Sequence, residues 1–271
     1  MDYLFRNSRR KLSQGLLFWR EIGSGYPVVF LHGTWNDSSQ WVPVMELISQ
    51  ECQCFAPDLL GVGESESPDI HYSIDLQVEM LAEFLQALRL EQVLFVGHSL
   101  GAWVATTYAR KYPLQVAGMI LISPEGVETE ASVKRCQKMQ RLLKRPLFIF
   151  DLLRLLHPLA KRLGFNINPE ADKKYRELME EYPIATRLLY NRQTPEILAE
   201  MLNEHLYEID AQTLVLQASE DTPETIEMSQ VYARLAYKAS LKTIENLSSI
   251  PTRLVSKEIR DFIAGGYLQH F

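Results

Sequence analysis

Residues 93–110 read VLFVGHSLGAWVATTYAR. The run Val93–Val96 is continuously apolar, as a strand buried on both faces must be. The alanine-rich stretch Ala102–Tyr112 has a helical pattern and stops before Pro113, whose ring disfavours a helical residue ahead of it. Between the two stands Gly97-His98-Ser99-Leu100-Gly101. A G-x-S-x-G pattern alone is a weak signal, arising by chance about 0.04 times in a chain of this composition. Set between a buried strand and a helix, it predicts a sharp turn that lifts the Ser99 hydroxyl clear of the sheet. The glycines relieve crowding on that turn, and the helix N-terminus aims its free N–H groups and positive dipole end at the reacting centre. The bland alternative is a glycine-rich turn with an incidental serine.

Outward from this turn, strands and helices alternate. Residues 14–22 and 27–31 read as β-rich runs separated by Gly23, Gly25 and Pro27. Further strands are expected at Cys52–Leu59, Met119–Ile122, Thr213–Gln217 and Leu241–Ile244. In Ser73–Leu90 the residues Ile74, Val78, Leu81, Leu85 and Leu88 recur at helical spacing behind an N-cap serine. A terminal helix is expected over Leu254–Ile263, ending at Gly265-Gly266. Such alternation implies a mostly parallel central sheet covered by helices on both faces, an α/β fold. From 127 to 205 the rhythm breaks into helical patterns with no convincing strand. The expected division is therefore a core of 1–126 and 206–271 with a helical cap inserted at 127–205.

A second chemical signal follows the strand Pro27–Leu31, at His32-Gly33-Thr34-Trp35. Acyl transfer needs two backbone N–H donors for the oxyanion that develops on the substrate. Thr34 is placed to give one and Leu100, just after the serine, the other. His32 reads as a brace for its own turn.

Three segments together resemble the α/β-hydrolase superfamily, in particular its serine-nucleophile esterases and lipases. They are the HG loop, the turn Asp58-Leu-Leu-Gly61-Val-Gly63-Glu-Ser65 and the GHSLG turn. Thr213-Leu-Val-Leu-Gln-Ala-Ser-Glu-Asp221 is similar to the strand that ends at the family's catalytic acid. The resemblance covers most of the chain outside the cap. It implies a triad in the order Ser, Asp, His, with Ser99 as nucleophile and Asp221 as acid; Glu125 is the reserve acid. It also implies a histidine after the last strand. There the chain reads Ile244-Glu-Asn-Leu-Ser248-Ser249-Ile-Pro251, and no histidine occurs between His205 and His270.

Composition bounds the remaining possibilities. The net charge of −6 over 271 residues argues against a nucleic-acid partner. Cys52, Cys54 and Cys136 form no CxxC pattern, so neither a disulfide framework nor a zinc site is expected. No phosphate-binding glycine loop or ligand cluster points to a metal or an organic cofactor. The N-terminus lacks a signal-peptide core, and the cytoplasm is the expected setting. One region departs from the acidic whole. From Lys134 to Arg162 nine Lys and Arg stand against Asp151 alone, among many leucines and phenylalanines. Such a segment can meet an anionic membrane or admit a lipid-like substrate; it can equally pack its apolar side on the core and solvate the rest. Oligomeric state is left open.

Two readings of function follow. In one, Ser99 hydrolyses an ester-type, lipid-like small molecule, with the N–H groups of Thr34 and Leu100 holding the oxyanion. In the other, the protein is a catalytically degenerate hydrolase that binds a small apolar ligand or a partner, because Ser248 and Ser249 stand where the histidine belongs.

Overall fold

The computed structural model describes residues 4–162, 168–244 and 250–265, apart from the side chains of 156 and 158–161. Eight strands form one sheet: β1 (Arg6–Lys11), β2 (Leu16–Ile22), β3 (Tyr26–Leu31), β4 (Cys52–Pro57), β5 (Val93–His98), β6 (Val116–Ile122), β7 (Gln212–Ala218) and β8 (Ala239–Ile244). Their order is β1-β2-β4-β3-β5-β6-β7-β8. The β1–β2 and β2–β4 pairs are antiparallel, and all pairs from β4 to β8 are parallel. The helices are α1 (Val42–Ile48), α2 (Ile74–Leu88), α3 (Leu100–Lys111), α4 (Glu130–Leu143), α5 (Leu147–Arg162), α6 (Pro169–Glu181), α7 (Pro183–Tyr190), α8 (Thr194–Ala199), α9 (Pro223–Leu235) and α10 (Thr252–Ala264).

Period-two alternation sends successive side chains of each central strand to opposite faces. Val28 and Phe30 of β3, with Leu94 and Val96 of β5, pack on the face that carries α1 and α10. Val29 and Leu31, with Val93 and Phe95, pack on the face that carries α2 and α3. Both faces are therefore dry, which is why these strands read as unbroken apolar runs. Cys52 and Cys54 share the first of these faces as buried free thiols. Ser73 caps α2 by accepting the N–H of Leu76 at 3.0 Å.

One strand escaped the apolar pattern. β1 carries Arg6, Arg9, Arg10 and Lys11 and is almost wholly exposed. It is the outermost strand, with no sheet neighbour beyond it, and charged side chains there oppose pairing with other chains. Hydrophobic periodicity cannot find such an element because it buries nothing.

Between β6 and β7 lie the five helices α4–α8, within the stretch where helices alone were expected. The chain direction reverses its course across the sheet at β3, which feeds β4 on one side and then β5 on the other. In parallel sheets the crevice at the carboxyl ends of the strands, at such a switch point, is where ligands bind.

Candidate active site

Four neighbouring strands, β3, β5, β6 and β7, each end in a residue of one pocket of about 520 Å³. Thr34 follows β3, Ser99 follows β5, Ser123 follows β6 and Asp221 follows β7. Trp35, His98, Glu125 and Arg135 are also among its lining residues.

Ser99 sits at φ 51°, ψ −113°, a conformation that side-chain-bearing residues rarely adopt. Such strain costs on the order of 1–3 kcal/mol and persists only where its surroundings over-determine it. Here Ser99 N–H donates to the Ile122 carbonyl at 3.0 Å, and Ser99 C=O accepts from Ala102, Trp103 and Glu125. The two glycines are required by close approach. A Cβ on Gly97 would lie 2.7 Å from Ala102 Cα, and one on Gly101 would lie 2.4 Å from the Leu31 carbonyl oxygen. The Ser99 hydroxyl meets Thr34 Oγ1 at 3.0 Å. Among the described residues, no acceptor takes the backbone N–H of Thr34 or of Leu100.

The loop after β3 is pinned from below. His32 donates from Nδ1 to the Gly33 carbonyl at 2.9 Å, and its Nε2 accepts the Leu59 N–H at 3.1 Å. Burial drives its pKa down, so the ring is neutral in this bracing role. Asp58 accepts the N–H groups of Ser38 and Glu64, both at 2.7 Å. The turn Asp58–Ser65 and the HG loop are thus tied together beneath the pocket.

Gln40 ties the same loop to the serine turn. Gly33 N–H donates to Gln40 Oε1 at 3.0 Å, and Gln40 Nε2 lies 3.1 Å from His98 Nδ1. A backbone N–H can only donate, so Gln40 must present its oxygen there and its NH₂ to the imidazole. His98 Nδ1 is then an acceptor and Nε2 carries the proton. Burial pushes the His98 pKa down to about 4, with Asp221 acting weakly in the opposite direction. His98 is consequently a neutral ring that can donate through Nε2 and cannot accept there.

Asp221 is held by two donors on one oxygen: Ser123 Oγ at 2.6 Å and Gln217 Nε2 at 2.7 Å. Ser123, itself at φ 46°, is turned out of β6 toward it. Glu125, the reserve acid, is instead committed to the Arg135 guanidinium in a mostly buried ion pair, while its carbonyl accepts the Tyr232 hydroxyl at 2.6 Å. Burial opposes the charge on Arg135, and the Glu125 carboxylate more than restores it, raising its pKa. The structure therefore brings Ser99, Thr34 and Asp221 to one pocket, sets Leu100 directly after Ser99 as the first residue of α3, and assigns Glu125 a different partner. Ser248, Ser249 and His270 lie outside the described residues. Among the described histidines, His98 alone lines the pocket. His71 and His205 lie beside Glu196 and Glu208, His32 braces its loop, and His157 is on α5.

The family model for the alpha/beta hydrolase fold matches residues 26–246. The chain belongs to this α/β-hydrolase family. Among solved structures, a putative lipase from Acinetobacter baumannii is similar to this α/β-hydrolase with a TM-score of 0.74 and 21% identity, over 96% of this chain and 91% of that one. Among curated proteins, a 1-acylglycerol-3-phosphate O-acyltransferase of Mus musculus is 30% identical over 66% of this chain. A 2-hydroxy-6-oxo-2,4-heptadienoate hydrolase of Pseudomonas putida is 34% identical over 41% of it. The aligned segments span 55% and 41% of those two relatives.

Three features of the pocket were not read from the sequence of this α/β-hydrolase: the Gln40 bridge, the Ser123–Asp221 bond and the Glu125–Arg135 pair. Each joins residues far apart in the chain or on unlike elements, and none has a local motif.

Proposed function

We propose that this α/β-hydrolase cleaves an ester-type small molecule through Ser99. The observation that carries the reading is the strained Ser99 backbone, held by its carbonyl and N–H bonds, with the Leu100 and Thr34 N–H groups free of other acceptors among the described residues. Strain of this kind gathers at reacting centres. In this reading Ser99 Oγ attacks the substrate carbonyl, and the two N–H groups receive the charge that develops on its oxygen. Thr34 Oγ1 holds the hydroxyl in place beforehand. Asp221 is the carboxylate on the base side and acts on the serine proton through water. Trp35, stacked near Tyr190 with ring centroids 6.5 Å apart, gives the pocket an apolar wall suited to an acyl group. Three free thiols suit a reducing compartment, and we place the protein in the cytoplasm.

A second reading has its own support. No described histidine bonds to Ser99, and Asp221 spends one oxygen on Ser123 and Gln217. A serine without a base is a poor nucleophile at neutral pH. The same pocket would then bind a small apolar ligand without turnover. A fluorophosphonate probe separates the two. The hydrolase reading expects covalent labelling of the wild type that is absent in Ser99→Ala. An unlabelled wild type, folded and monodisperse, overturns it in favour of the binder.

A further inference from the structure

α5 presents three of its apolar residues to the solvent. At 100° per residue, Phe148, Leu152 and Leu155 fall within about 60° of one another on the helix surface. They are 69%, 53% and 78% exposed. Phe150, which is buried, points to the opposite side. Ordinary surface helices do the reverse, keeping the apolar stripe inward. The stripe is therefore an addition to the core-facing side of α5 and takes no part in holding the fold.

The charges around it sort into two groups. Lys134, Arg135, Lys138 and Arg154 are neutralised by Glu130, Glu125, Asp172 and Glu170. Arg141, Lys144 and Arg145, at the end of α4 and the approach to α5, have no carboxylate partner among the described residues, and all three are exposed. Arg162, at the far end of α5, is likewise exposed and has no carboxylate partner among the described residues. Cations flanking the 16-residue helix that carries this stripe match a surface that is anionic outside and apolar beneath. Asp151, the one acid on α5, is engaged by Lys173 at 2.7 Å and adds no net repulsion. No described helix is long and apolar enough to cross a membrane, so the contact is peripheral.

We infer that the outer face of α5 docks the protein on an anionic lipid bilayer, with Phe148, Leu152 and Leu155 entering the interface and Arg141, Lys144, Arg145 and Arg162 meeting the headgroups. α5 packs on α6, whose Tyr175 lines the Ser99 pocket, so docking brings that pocket to the membrane surface. The inference does not depend on Ser99 being a nucleophile.

The test is co-sedimentation of the full chain with vesicles of phosphatidylcholine and phosphatidylglycerol in equal parts, at low and high salt. Wild type is expected to bind at low salt and to release as salt rises. Each of Phe148→Ser, Leu152→Ser and Leu155→Ser should weaken partitioning by about tenfold, and the triple variant should abolish it. Lys144→Gln and Arg145→Gln should each cost about fivefold. All these positions are exposed, so thermal midpoints should match wild type, and a variant that fails this control is replaced by the Gln variants. Ser99→Ala should bind vesicles as wild type does, whatever its reactivity. Wild type that stays in the supernatant at low salt overturns the inference. So does binding that the triple variant retains. Self-association of wild type that the triple variant loses, without vesicle binding, assigns the face to a second copy of the chain instead.

Discussion

The tautomer of His98 rests on one glutamine, and replacing that glutamine by glutamate should reverse it. In the wild type Gln40 accepts from Gly33 N–H and donates to His98 Nδ1. Burial holds the ring's pKa at about 4, so at neutral pH about one imidazole in a thousand is charged. Glutamate at position 40 keeps the acceptor for Gly33 but has no hydrogen to give to Nδ1. The imidazole must then place its proton on Nδ1 and leave Nε2 as a lone pair. A carboxylate at hydrogen-bond distance also favours the charged ring, by about 1–3 pKa units. The His98 pKa in Gln40→Glu is therefore expected between about 5 and 7. Nitrogen-15 shifts of histidine-labelled protein report both quantities. Wild type should show Nδ1 as the pyridine-type nitrogen, and Gln40→Glu should show Nε2 in that role with a titration moved upward. Gln40→Leu separates tautomer from packing: it leaves the buried Gly33 N–H without a partner and should cost about 1–3 kcal/mol of stability. A wild-type ring protonated on Nδ1, or a His98 pKa that stays near 4 in Gln40→Glu, would refute the reasoning.

Gly101→Ala would push a methyl group to 2.4 Å from the Leu31 carbonyl oxygen, which belongs to a central strand and cannot withdraw. We expect a loss of about 1–3 kcal/mol, read as a lower urea midpoint, together with loss of fluorophosphonate labelling. Stability should also fall on acidification through His98. Its folded pKa lies below the unfolded value of 6.5, so the unfolded chain takes up the proton first and stability drains as pH falls from 6.5 toward about 4, with no contribution above. The slope in that window should be at most about 1.4 kcal/mol per pH unit, and His98→Asn should remove that share; an unchanged slope in the variant counts against a depressed pKa.

Much of the fold was legible because both faces of its sheet are dry. Val28–Leu31 and Val93–Val96 announce themselves as apolar runs only because helices cover each side. The serine turn was legible for a steric reason: Gly97 and Gly101 sit where a Cβ would strike backbone, so the spacing of glycines reports the packing of β5 against α3. β1 was not legible because its pairing with β2 is made of backbone hydrogen bonds, which any side chain can accompany.

The site was legible in its parts and not in its wiring. Ser99 and Asp221 stand at strand ends, where position alone suggests a role. What each can do depends on partners that sequence leaves unmarked. Ser123 is a single serine after β6, yet its φ of 46° and its 2.6 Å bond decide which Asp221 oxygen is engaged. Glu125 stood as the reserve acid, and Arg135 on α4 claims its carboxylate. His98 carries the point furthest. As the residue beside the serine it invites the role of base, and the network denies it: Gln40, 58 residues away in the chain, can satisfy Gly33 only by fixing the imidazole proton on the nitrogen that a base would need bare. A proton acceptor for Ser99 must therefore come from outside the described histidines, from water held at Asp221, or not at all, and the labelling of Ser99 distinguishes turnover from binding on that ground.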